Sequence, residues 1–203
     1  MNTKSAKTFD MKQTWQNITT NYSHWLSFVF LMLIAGVINP SFLSFTNLTN
    51  QFVQGAITGI CAMGMSLVIS AGMIDLSVGS SVALISGLGV LLLNKTESIA
   101  LCLLFCLGFG LILGLINGVL VTKGNIAPFI VTLASFSAYR SIINQLGQGG
   151  PFTVSKTMYD GFRKIAAGRV MGIPNLMLIF ILITVITGII MSKTKFGRYV
   201  YAV

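Results

Sequence analysis

Apolar residues come in long runs along this chain, and polar residues punctuate those runs instead of alternating with them. Six apolar segments stand out, at 25–45, 52–71, 73–93, 98–121, 126–146 and 175–191. Each is closed by turn chemistry or charge: Asn39-Pro40, Gly72 with Asp75, Lys95 with Glu97, Lys123-Gly124, a glycine-rich stretch opening at Gly147, and Lys193 with Lys195. A membrane-crossing helix needs about 20 mostly apolar residues. The pattern therefore predicts an all-α, polytopic transmembrane helix bundle with about six spans. Ahead of it lies a polar tail at 1–24, and a loop at about 147–174 is long enough to be a small ordered excursion.

Small residues recur at four-residue spacing inside the segments: Gly55 and Gly59, then Gly79, Ala83 and Gly87, then Gly110, Gly114 and Gly118. Helices in lipid associate by close backbone approach, which small residues permit. These stripes are expected to be packing seams.

Composition agrees with the pattern. Of 203 residues 54% are hydrophobic and only 8% charged, too few charges for an ordinary soluble surface. The net charge of +9 could suggest nucleic acid, but the basic residues are scattered between apolar runs and form no basic face. Orientation signalling accounts for them better. With the amino terminus inside, Lys4, Lys7, Lys12, Lys123, Lys193, Lys195 and Arg198 fall inside, and Lys95, Lys156, Arg163, Lys164 and Arg169 outside. This weak positive-inside bias makes the amino terminus cytoplasmic and the 147–174 loop extracytoplasmic. No removable signal peptide is visible, so the first span is expected to stay as an anchor.

Reaction chemistry finds little to stand on. The single histidine, His24, stands at the predicted membrane edge, and Cys61, Cys102 and Cys106 lie within apolar runs, where thiols behave as small hydrophobes. No metal site, cofactor or catalytic residue is expected. No lysine follows a glycine, so a Walker-type nucleotide loop is excluded.

Two charged residues remain to be weighed. Residues 52–93 as one helix would extend about 63 Å, two membrane thicknesses, so Asp75 falls near the division between two spans. Either Gly72 closes one helix and Asp75 or Ser77 caps the next, or Asp75 belongs to broken structure buried in protein and needs backbone N–H groups or Arg140 as a partner. Arg140 either snorkels to the surface or faces the bundle interior.

Several stretches resemble the permease subunits of bacterial ATP-binding-cassette importers for monosaccharides, the family of the ribose, xylose and arabinose permeases. They are "GMIDLSVGSSVAL", "GLINGVLVTKGNIAPFIVTL" from Gly114, "YRSIINQLGQGGPF" from Tyr139 and the closing "KTKFGRYVYAV". They occur in the family's order and cover Ile38 onward. Met73 stands where the family usually carries a second glycine. The chain also stops at Val203, where the family continues with a coupling loop and further helices, so it resembles the amino-terminal part of a larger permease, truncated at its carboxyl end.

The resemblance implies a translocation pathway for a ribose-like sugar in the bacterial plasma membrane. An ABC ATPase subunit, an extracytoplasmic sugar-binding protein and a second permease copy forming a homodimer are the implied partners, with the lipid bilayer around them and no nucleic acid. Asp75, Ser77, Gly79, Asn117 and Arg140 are then expected at the substrate pathway or helix junction, and Gly197, Arg198 and Tyr199 at the ATPase-proximal cytoplasmic end. Two other readings remain: a non-transporting fragment, and an ion-coupled secondary transporter for which the broken-looking "AGMIDLSVG" is the support.

Overall fold

The computed structural model describes residues 11–202. Residues 1–10 of the polar tail, with Lys4 and Lys7, lie outside the described residues. Two compact units are present, Met1–Gln51 and Phe52–Val203.

In the first unit, helix α1 covers Met11–Ile38, so the predicted first span stops seven residues short of Phe45 and helix already runs through 11–24. Asn39 explains the stop. Its side chain accepts the Ser41 N–H at 3.0 Å, and Pro40 opens a short 3₁₀ turn, Pro40–Leu43. Gly36 lies directly under Leu43, where a Cβ would collide with the leucine side chain.

Helix α2, Phe45–Ser70, ends in a Schellman closure. Gly72 takes φ +70°, its N–H donates to the Ile69 carbonyl, and the Met73 N–H reaches back to Val68. Gly72 alone needs the left-handed region here, so Met73 in place of a second glycine carries no backbone penalty. The chain then stays non-helical through 73–77. Helix α3 begins at Val78, five residues later than the apolar pattern suggests, because the Asp75 carboxylate claims the Ser77 N–H in a turn just ahead of it.

Helices α3 (Val78–Thr96), α4 (Ile99–Thr122) and α5 (Pro128–Gly147) form the compact part of the second unit. Contacts between Ser77 and Asn117, Gly89 and Cys102, and Gly87 and Ile143 show that α3 and α5 run the same way and α4 runs against both. Leu84, Leu113, Tyr139 and Ile143 make the buried core, with Phe109 and Phe152 packed on it. Cys102 and Cys106 point their thiols at the Gly89 and Ile85 carbonyls of α3, at 3.3 and 3.8 Å.

The glycine stripes are only partly seams. Gly87 is buried under Ile143 and Phe152, Gly59 lies against Phe180, and Gly110 touches Ile85. Gly55, Gly79, Gly114 and Gly118 meet nothing within 4 Å among the described residues. On α4 the packed face passes through Cys102, Leu113 and Asn117, one residue away from the Gly114–Gly118 line.

The 147–174 stretch is ordered. It holds helix α6 (Lys156–Ala167) and a two-residue-turn ribbon, β1 (Arg169–Val170) with β2 (Ile173–Pro174), closed by Met171 and Gly172 at positive φ. The Asn94 side chain ties this excursion to the end of α3, donating to the Thr153 carbonyl at 2.9 Å and accepting the Ser155 N–H at 2.8 Å. Glu97 accepts from Thr157. Helix α7, Asn175–Lys193, follows, and α8, Lys195–Ala202, turns off it at Thr194.

Of these helices, α2, α3, α4 and α7 are long and apolar enough to cross a membrane, and the apolar stretch Tyr22–Ile38 of α1 is shorter. Among the described residues four helices meet this measure, beside the six apolar segments of the sequence. Helix α5 has the length, at 20 residues, but it carries the polar side chains that converge below.

Candidate functional site: a buried polar seam at a helix junction

Asp75 sits in the non-helical link and folds back on its own chain. Its Oδ1 accepts the Ser77 N–H at 2.7 Å and the Ser77 hydroxyl at 2.6 Å. The first bond closes an Asx-type turn that satisfies a backbone donor just ahead of α3; the second is a short, charge-assisted bond. Ser77 is the residue at the helix boundary, yet its side chain does not cap the helix. That hydroxyl is spent between helices.

From Ser77 the hydrogen bonds run inward. Asn117 of α4 donates its Nδ2 to Ser77 Oγ at 3.1 Å, and its Oδ1 accepts from Ser135 Oγ of α5 at 2.6 Å, with the Tyr139 hydroxyl at 3.5 Å. Ser77 is 1% exposed and Asn117 8%, too little for water to stand in. Ser135 and Tyr139 are buried as well. Every proton in this chain points toward Asp75, so the dipoles of Ser135, Asn117 and Ser77 align on one carboxylate and reinforce one another. Thr132, also buried, donates to the Pro128 carbonyl at 2.9 Å and lies 3.4 Å from the Ile74 carbonyl of the link.

The seam also fixes where α3 begins. Asn117 is five residues, about 8 Å, before the end of α4 at Thr122, and Ser135 is seven residues, about 10 Å, after the start of α5 at Pro128. The Ser77 end of the 73–77 link is therefore inset from the ends of the two helices that flank it, while Met73 shares a recess with Thr122 and Pro128 at those ends. A recess of about 230 Å³ lies beside it, walled by Met73, Asp75, Gly118, Val121 and Pro128.

Of the expected residues, the fold brings Asp75, Ser77 and Asn117 together. Gly79, the second residue of α3, is exposed and touches none of them. Arg140 is eight residues beyond Thr132 on α5, about 12 Å along the axis; it is exposed and lines a different recess, with Ser86 and Gly150. It is not the partner of Asp75, whose Oδ1 accepts from Ser77 instead. Gly197 is buried at the α7–α8 turn against the Met191 carbonyl, while Arg198 and Tyr199 are exposed on α8.

Sequence reading missed Thr132, Ser135 and Tyr139. Their i, i+3, i+7 spacing places them on one face of α5, and that stripe of polar residues in an apolar segment was the available signal.

A set of hydroxyls and one amide buried between helices of spanning length, with a half-buried carboxylate at its end, makes a polar seam in a membrane bundle. Among the described residues no cluster of three metal-binding side chains occurs. Its class is thus that of polytopic helical membrane proteins. The chain belongs to the family described as the branched-chain amino acid transport system / permease component, whose model matches residues 47–203.

Over its full 203 residues it is 36% identical to the ribose import permease protein RbsC of Bacillus subtilis (strain 168), covering 63% of that protein. It is 35% identical over 179 residues to the ribose import permease protein RbsC of Haemophilus influenzae, covering 88% of this chain and 55% of that one. The fructose import permease protein FruF of Bifidobacterium longum is 29% identical over 189 residues, with 88% and 53% covered. The chain thus spans less than two thirds of the length of these relatives. No solved structure matches it.

Proposed function

We propose that this chain is part of the membrane permease of an ABC-type importer and helps form the translocation pathway for a monosaccharide, ribose in the first instance. The observation that carries the reading is the 36% identity over all 203 residues to a protein named as a ribose import permease. The structure supports it physically: helices of spanning length, a buried seam without an acid–base pair, and an interrupted backbone inset between α4 and α5. In this reading a separate ATPase subunit supplies the energy, an extracytoplasmic binding protein delivers the sugar, and a second permease copy completes the pathway. The protein sits in the bacterial plasma membrane with its amino terminus cytoplasmic. Asp75, Ser77 and Asn117 then hold the helix junction beside the pathway, and α8 with Gly197, Arg198 and Tyr199 lies toward the ATPase.

The test is uptake of labelled D-ribose by cells carrying the chain together with its ATPase and binding-protein partners. Uptake should collapse when ATP is exhausted and survive dissipation of ion gradients. The opposite result would favour an ion-coupled transporter, for which the free-standing 73–77 backbone is the motivating feature.

A further inference from the structure

Beyond the apolar core of Leu84, Leu113, Tyr139 and Ile143, at the end of α3 and α5 away from Asp75, lies a recess of about 500 Å³. That volume is within the range of about 300–1,000 Å³ common to small-molecule sites. Ser86 and Gly87 of α3, Arg140 and Asn144 of α5, and Phe152 of the following loop form its walls. Arg140 and Asn144 lie one turn apart on the same face of α5, Ser86 lies on the parallel α3, and all three are exposed and line the recess.

The recess is built, not incidental. A Cβ on Gly87 would come within 3.1 Å of the Phe152 ring, and one on Gly147 within 3.0 Å. The two glycines therefore make a seat that holds the ring half-buried. The loop behind it is fastened to α3 by both polar ends of the Asn94 amide.

We propose that this recess binds a neutral polyhydroxylated solute, of monosaccharide size, at a site apart from the Asp75 junction; this rests on the permease reading above and deepens it. The guanidinium of Arg140 offers donors only, the Asn144 amide a donor face and an acceptor, and Ser86 a hydroxyl that does either. Adjacent sugar hydroxyls, each donor and acceptor at once, match that mixture. Phe152 supplies a flat apolar surface for the C–H face of a sugar ring. An anion site would gather cations, but Arg163 and Lys164 of α6 line a separate recess of their own, leaving Arg140 as the single charge here.

The experiment uses the full chain in lipid nanodiscs carrying Val90→Cys, at a lining position that offers the sugar no polar group, with labelling by a polar maleimide corrected for the thiols of the unaltered chain. D-Ribose, D-xylose or D-fructose at millimolar concentration should slow labelling several-fold, and sodium acetate should not. Adding Arg140→Gln or Asn144→Ala, both at exposed positions, should raise the half-protecting sugar concentration about tenfold or more, the effect of losing a hydrogen bond to a charged or amide partner. Absence of protection by any of the three sugars in folded protein overturns the proposal. Equal protection by acetate or by an acidic peptide also overturns it, and marks Arg140 as a docking point for a carboxylate on another protein. ATP-driven ribose uptake measured in parallel separates the two readings: uptake without protection sinks the recess alone, and protection without uptake sinks the permease reading alone.

Discussion

Asp75 shows how one residue's apparent cost depends on where its oxygens go. A buried or half-buried carboxylate in a membrane segment is expensive, but Oδ1 here accepts two bonds from Ser77, one from the backbone and one from the hydroxyl. Asparagine carries an oxygen in the same place. Asp75→Asn should therefore keep the turn and most of the folded protein, whereas Asp75→Leu leaves both Ser77 donors stranded at about 1–3 kcal/mol each and should lower the monodisperse yield in detergent. If both variants fold normally and both lose uptake, the charge itself takes part in transport.

Asn117 is the other decisive side chain, because it bonds both Ser77 at the start of α3 and Ser135 of α5. Asn117→Leu should destabilise the bundle by about 2–4 kcal/mol through unpaired buried groups. Ser135→Ala should cost about 1 kcal/mol, since the Asn117 oxygen retains the Tyr139 hydroxyl. Thermal melts in detergent, ranked Asn117→Leu below Ser135→Ala below the unaltered chain, check both.

At the scale of elements, two connections have consequences that can be measured. The turn from α7 to α8 brings the Met191 carbonyl onto Gly197, leaving no room for a Cβ; the Thr194 hydroxyl accepts the Gly197 N–H and donates to Ile190. Gly197→Ala should detach α8 and raise amide exchange across 195–202 while α3–α5 keep their protection. The second connection is the Asn94 amide. Asn94→Ala removes both of its bonds to 153–155, so exchange and proteolysis should increase within α6 and the ribbon, with little change in the melt of the core. An equal loss of protection throughout would mean the excursion and the bundle fold as one unit.

For the molecule as a whole, the controlling fact is how much apolar surface remains outside. On α4 the stripe Leu104, Leu107, Leu111 and Leu115 is 67%, 70%, 76% and 66% exposed, on a helix whose other side is the packed one. Water does not tolerate such a patch. The chain should stay with the bilayer through alkaline carbonate washing and come out only with detergent; release by carbonate alone would contradict the spanning assignment.

The membrane class, the approximate helix count and the position of Asp75 at a division between helices were all legible in the sequence. They depend on local properties: runs of apolar residues, turn residues between them, and a charge too costly to leave mid-span. The end of α1 was misplaced because the Asn39 cap acts on two residues only, too small a signal against a long apolar run. The start of α3 and the polar seam could not be read, since Ser77, Asn117 and Ser135 meet across 40 and 18 residues of chain. Which polar side chains converge is decided by helix packing, and so is the separation of Arg140 from Asp75 into different recesses. A sequence sets each helix's faces; only the packed arrangement of α3, α4 and α5 decides which face meets which.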